Sequence, residues 1–155
     1  MKKYSQITFC FAVLLLFLTA CQLDSNLTEE STAQELPNSE NNVTVATDKA
    51  QYSTSVEKII VEIQNDSNID FSSGTHVFLD KKVDDTWYNV PMKADFFTEA
   101  GFIHSAGGTS SMVFDVKNLK YALTVGEYRA TINGLATPFK IVEWEEPYLV
   151  LFLFE

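Results

Sequence analysis

The sequence predicts an all-β fold, an antiparallel β-sandwich of about seven strands. Three observations predict it. From Val43 onward apolar and polar residues alternate with period two. Short clusters of Asn, Asp, Gly and Ser interrupt these runs. No window carries a long amphipathic helix.

The first strand covers Val43 to Thr47. "KIIVEIQN" puts Ile59, Val61 and Ile63 on one face, and Asn65 to Asn68 supply the turn that ends it. "THVFLDKKV" sets Val77, Leu79 and Val83 toward a core, with Phe78, Asp80 and Lys82 on the opposite face. Asp84-Asp85-Thr86 then reads as a hairpin turn leading into Trp87 to Val90. Phe96 to Gly101 is read as one short turn. After Gly107-Gly108, "SSMVFDVKN" aligns Met112, Phe114 and Val116. "GEYRATING" aligns Tyr128, Ala130 and Ile132, with Glu127, Arg129 and Thr131 opposite. Asn133-Gly134 is a hairpin turn into the strand of Phe139 and Ile141.

The N-terminus is a different object. Lys2 and Lys3 precede an uncharged apolar run, Ile7 to Leu18, of the length of a secretory leader and too short to span a bilayer. Leu18-Thr19-Ala20-Cys21 follows, and resembles the lipobox of bacterial lipoproteins. The resemblance implies cleavage between Ala20 and Cys21 and lipidation of the Cys21 thiol as a diacylglyceryl thioether. Two acyl chains anchor stably where one is marginal. The other readings of the run are an ordinary signal peptide with a chance cysteine, and an uncleaved anchor.

Residues 21–42 read as a flexible acidic tether, rich in Ser, Asn, Glu, Gln and Thr; a short acidic helix over Thr28 to Leu36 is the alternative. The domain then occupies residues 43–155. Its tail, Tyr148 to Phe154, is seven apolar residues in a row beyond Pro147. It is read as a strand or extended segment packed on the domain, with a partner contact as the alternative.

Loss of residues 1–20 with the leader leaves nine basic side chains against 21 acidic ones, a net charge of −12. Such a chain repels nucleic acid and anionic lipid. Cys10 leaves with the leader and Cys21 carries the lipid, so no cysteine remains for a disulfide and stability must come from packing.

"LTVGEYRATI", Leu123 to Ile132, resembles the tyrosine corner of Ig-like and fibronectin-like sandwiches, with Gly126 giving the turn and Tyr128 the pin. The usual Pro before the Gly is Val125 here. Together with "SVEKIIVEIQNDSN" and "LDKKVDDTWYNVP" in that order, it resembles a bacterial Ig-like domain of Gram-positive lipoproteins and membrane-bound sensors, over roughly Val43 to Glu143. The resemblance implies an extracytoplasmic module and supplies no catalytic residues.

The search for chemistry finds no site. His76 and His104 are far apart, without a Cys or metal-ligand spacing around them, and His76 falls on the face of Phe78 and Asp80, on the solvent side or at a sheet edge. No serine sits in G-x-S-x-G or S-x-x-K. "AGGTSS" lacks the lysine of a phosphate cradle, and "VDDTW" lacks the spaced ligands of a calcium loop. Glu145 and Glu146 are read as solvated. No catalytic residue, metal or cofactor is expected. Trp87, Tyr88, Phe96, Phe97 and Phe102 serve as core or as a binding surface, and the irregular stretch "DFFTEAGFIHSAGG" is the best candidate contact surface.

The expected protein is a lipoprotein at the extracytoplasmic face of a bacterial membrane, held there through its lipid anchor. It carries one binding or structural module and has an envelope protein as its possible partner. The alternative is an exported inhibitor or accessory subunit that caps an envelope enzyme or sensor. A purified ectodomain pulled against envelope extract separates the two.

Overall fold

The computed structural model describes residues 26–93 and 100–143. The readings placed on Ala20, Cys21, Phe96, Phe97, Glu145, Glu146 and the tail lie outside these residues.

Eleven strands are described: β1 (Ser39–Glu40), β2 (Val43–Thr47), β3 (Gln51–Ser53), β4 (Lys58–Asn65), β5 (Phe71–Gly74), β6 (Phe78–Val83), β7 (Thr86–Asn89), β8 (Gly101–His104), β9 (Gly108–Asp115), β10 (Gly126–Ile132) and β11 (Leu135–Val142). They form a β-sandwich with one sheet ordered β1-β2-β4-β9 and the other β3-β11-β10-β6-β7, plus a two-stranded ribbon of β5 and β8. The count exceeds seven because β1, β3, β5 and β8 are two to four residues long, too short to display a period. One pair, β3 with β11, is parallel: the chain leaves the first sheet after β2 and joins the edge of the second.

Three two-residue hairpins set the register. Asn41-Asn42, Asp84-Asp85 and Asn133-Gly134 all have positive φ at both positions. They join Glu40 to Val43, Val83 to Thr86, and Ile132 to Leu135. Such turns match the right-handed twist of the strands they connect, and Asn, Asp and Gly tolerate that conformation best.

The alternating residues meet in one core. Ile59, Val61 and Ile63 of β4 are fully buried, as are Val43 and Val45 of β2 and Phe114 of β9. From the other sheet come Leu79, Tyr128, Ala130, Ile132, Phe139 and Ile141. Each large side chain buried here contributes about 1.5–3 kcal/mol. Tyr52 meets Phe139 edge-on at 5.5 Å, and Phe139 stacks on Tyr128 at 5.7 Å. Val116 departs from its expected strand: β9 ends at Asp115, whose carboxylate accepts from the Lys117 N–H and caps a single 3-10 turn over Val116–Asn118.

Two expectations need correction. The stretch from residue 28 to 42 is not a tether; residues 29–37 cross the second sheet as a strap, and β1 continues it into the first sheet. Its side chains remain mostly exposed, so its polar composition is no obstacle to docking. Main-chain hydrogen bonds hold it, and these leave no mark on composition. The domain therefore begins near residue 28. The second correction follows from the first. Asp80 and Arg129 do project to the outer face of their sheet, as the alternation requires, yet both are 3% exposed because the strap covers them.

Candidate functional site

The covered outer face is the most elaborate polar arrangement among the described residues. Asp80 of β6 and Arg129 of β10 are direct cross-strand partners, so their side chains project side by side. Arg129 donates through Nε to Asp80 Oδ2 at 2.8 Å, and its Nη2 lies 2.8 Å from the same oxygen. The rest of the guanidinium reads the strap. Nη1 donates to the Gln34 carbonyl at 2.9 Å, while Nη2 donates to the Ala33 carbonyl and to Ser31 Oγ. Its Cζ sits 4.5 Å from the Trp87 ring centroid, a cation–π stack. A planar fork with five donors suits this work, as a lysine would not.

The strap also extends the edge of β7. Glu30 faces Tyr88, with Ser31 N–H donating to the Trp87 carbonyl at 2.8 Å and Asn89 N–H to the Glu29 carbonyl at 2.9 Å. Gln34 copies a strand with its side chain. Its Nε2 donates to the Trp87 carbonyl at 3.1 Å, and its Oε1 accepts the Trp87 N–H at 2.8 Å. Farther on, Ala136 N–H donates to the Pro37 carbonyl at 2.8 Å. Grooves flank the strap on both sides. One of about 700 Å³ lies between Thr28, Ala33, Leu36, Phe78 and Thr131. The other, about 600 Å³, lies between Leu36, Trp87, Arg129 and Pro138.

Tyr128 is 2% exposed. Its hydroxyl donates to the Thr124 carbonyl at 2.9 Å and accepts the Thr124 N–H at 3.2 Å. That is the geometry of a tyrosine corner. Gly126 has φ +154°, and Lys81 Cε passes 3.0 Å from where a β-carbon would stand. Gly126 thus lets Lys81 fold inward over the Tyr128 ring, 5.5 Å from its centroid, to meet Thr124 Oγ1.

His104 is 4% exposed and held by two serines, Ser73 Oγ at 2.8 Å from Nε2 and Ser110 Oγ at 2.6 Å from Nδ1. Burial pushes its pKa below the ordinary histidine value. A serine beside a histidine is the start of a nucleophile, but here a second serine rather than a carboxylate orients the ring, and Ser73 is buried. The constellation pins ribbon β5–β8 to β9. His76 lies apart from it, with Thr75 Oγ1 2.7 Å from its Nδ1. Among the described residues no three His, Cys, Asp or Glu side chains converge as a metal site. Trp87 is half-buried under Arg129 and Tyr88 is half-buried on β7, while Phe102 is 52% exposed on the ribbon.

The sequence reading passed over Asp80, Arg129 and Gln34. The register between β6 and β10 could have paired the first two, since opposite charges at facing positions on an outer face are a cross-strand signal. Nothing in the sequence marked the strap that buries them.

These features define a class: a seven-plus-stranded Ig-type sandwich with a tyrosine corner, crossed by an N-terminal strap. The family described as "Bacterial Ig-like domain" matches residues 39–133, more than half the chain, and the chain belongs to it. No curated protein matches. Solved structures with similarity include the Pseudomonas fluorescens alkylpurine DNA glycosylase AlkC bound to DNA containing an abasic site analog. It is 12% identical, with a TM-score of 0.36, covering 67% of this chain and 31% of that one. A β-glucosidase from Listeria innocua in complex with gluconolactone is 11% identical, also with a TM-score of 0.36, covering 67% of this chain and 16% of that one. The chain thus spans under a third of either protein, and likeness at this level carries no functional argument.

Proposed function

We propose that this protein is a membrane-anchored extracytoplasmic lipoprotein in which a single Ig-like domain serves as a binding or structural module. The observation that carries the reading is the sequence Leu18-Thr19-Ala20-Cys21 at the end of a charged, short apolar leader, followed along the chain by a domain of the bacterial Ig-like family. The chemistry requires a thiol at the membrane face, and Cys21 is the only cysteine beyond the leader. Ser73 and His104 are engaged in fixing the ribbon, which fits a module that works by its surface.

The test is Cys21→Ser. The variant is expected in the medium or as uncut precursor, while the native chain fractionates with membranes and carries lipid on its N-terminal peptide. Normal processing together with unchanged membrane retention would refute the lipid anchor.

A further inference from the structure

We propose that ribbon β5–β8 is an acid-released flap, with His104 as the latch that holds it on the sandwich while the ring is neutral. The latch works within the domain itself, whatever holds the N-terminus.

Two observations carry it. The first is how little holds the ribbon. Among the four residues of β5 and the four of β8, only Ser73 and His104 are buried. Phe71 is half-buried against the core, while Phe102 and Ile103 are 52% and 70% exposed. A two-stranded ribbon is marginal by itself. Polar contacts tie this one down. Asn65 Nδ2 donates to the Ile69 and His104 carbonyls, at 2.9 Å each. Asn133 Nδ2 donates to the Ser72 carbonyl at 2.9 Å, and Gly107 N–H to the Ser67 carbonyl at 3.2 Å. The His104 ring joins Ser73 of the ribbon to Ser110 of β9.

The second observation is that the site suits a neutral ring and offers no counter-charge. A neutral imidazole donates through one nitrogen and accepts through the other. Both nitrogens face serine hydroxyls, at 2.8 and 2.6 Å, so one serine receives a hydrogen and the other gives one. Acid adds a hydrogen to the accepting nitrogen. Two donors then face each other across a short contact, and that serine must turn its hydrogen away. The conflict arises with either tautomer. The new charge would sit among Ser73, Ser110, the Phe71 ring at 5.6 Å and Met112, whose sulfur lies 3.6 Å from Ser73 Oγ. Among the described residues no carboxylate bonds the ring. On the adjoining turn Asp66 accepts from Gln64, and Asp70 accepts from the Ala106 N–H. A buried charge without a partner is costly, and burial already holds the ring below its ordinary pKa. The smallest motion that relieves it is to open the ribbon, which puts the ring in water and leaves the core of β4, β9, β10 and β11 in place. Opening also bares Met112, 6% exposed when the ribbon is shut, beside Phe102 and Ile103. An apolar surface therefore grows in acid.

Amide hydrogen exchange of the full chain, read by peptide mass spectrometry at a series of pH values and corrected for the intrinsic rate at each, tests the flap. Below the ordinary histidine pKa of about 6.5, and down to the lower value of the closed state, opening of residues 69–74 and 101–107 should rise by up to about tenfold per pH unit, the limit for one linked proton. Peptides over β4 and β10 should keep their protection. His104→Gln should remove the pH dependence from the ribbon. Ser110→Asp keeps the histidine and gives its Nδ1 a carboxylate, so the ribbon should stay shut through the same range. If His104→Gln does not fold, Ser110→Asp carries the test on the native histidine. Ribbon protection that is constant with pH, a loss shared equally by β4 and β10, or an unaltered loss in Ser110→Asp overturns the inference.

Discussion

Replacing Arg129 by Met asks what holds the strap. The substitution keeps much of the side-chain volume and removes every donor. If the strap stayed in place, Asp80 would keep a buried charge with its partner gone, at a cost of about 3–5 kcal/mol. The Ala33 and Gln34 carbonyls would lose the charge-assisted bonds that Arg129 now provides. The strap has another course open to it. What would remain is the bonding of Ser31, Asn89 and Gln34 to main chain, at about 1 kcal/mol net per hydrogen bond. Against that stands about 1–2 kcal/mol of ordering entropy per residue. Without Arg129 the strap should lift and admit water to Asp80, which caps the loss at about 2–3 kcal/mol. Urea unfolding followed by tryptophan fluorescence measures the loss. A protease that cuts after glutamate, with Glu29, Glu30 and Glu35 in the strap, measures the lifting. Adding Asp80→Leu should restore little stability, because the lifted strap has already hydrated the Asp80 charge, and should not restore strap protection. A change under about 0.5 kcal/mol with unchanged proteolysis would show that Arg129 is not the clamp.

Three further outcomes are expected. Tyr128→Phe should cost about 1 kcal/mol in denaturant unfolding, since the hydroxyl bonded to Thr124 disappears; no loss would mean water replaces it. His104 is held below the usual histidine value by burial, so the folded state favours the neutral ring. Its contribution is fully present above the unfolded pKa of about 6.5 and is lost as pH falls through the lower folded value. Melting temperature should therefore drop from about pH 6.5 downward, and His104→Gln should flatten that part of the curve; an equally steep curve in the variant would assign the drop elsewhere. Cys21→Ser should release the chain from membranes, as set out above.

Much of the sandwich was legible because its signal is periodic. Ile59, Val61 and Ile63, or Tyr128, Ala130 and Ile132, declare a face simply by alternating, and Asn133-Gly134 declares its turn. The tyrosine corner was readable from a Leu, a Gly and a Tyr at fixed offsets. The strap was not. Thr28 to Pro37 carries the composition of a linker, and what fixes it is a row of carbonyls and N–H groups that every sequence has. The buried pair was hidden for the same reason. Asp80 and Arg129 occupy positions that a two-layer sandwich gives to solvent, and only a third layer makes them interior. Ribbon β5–β8 escaped because Phe71 to Gly74 and Gly101 to His104 are each a single four-residue strand, joined to the domain through polar contacts such as Ser73 with His104.

The strap's contacts are also among the most distant along the chain. Ser31 and Gln34 meet Arg129 across separations of 98 and 95 residues. Residues near the N-terminus are synthesised first, yet this segment has nothing to dock on until β10 and β11 exist. Contacts of such long range are paid for late in folding, after the loops they close. A chain that emerges N-terminus first therefore keeps Thr28 to Pro37 undocked for most of its emergence. Closure of the strap is thus ordered in time by topology, with the last strands of the domain acting as the signal that residues 28–37 are free to settle.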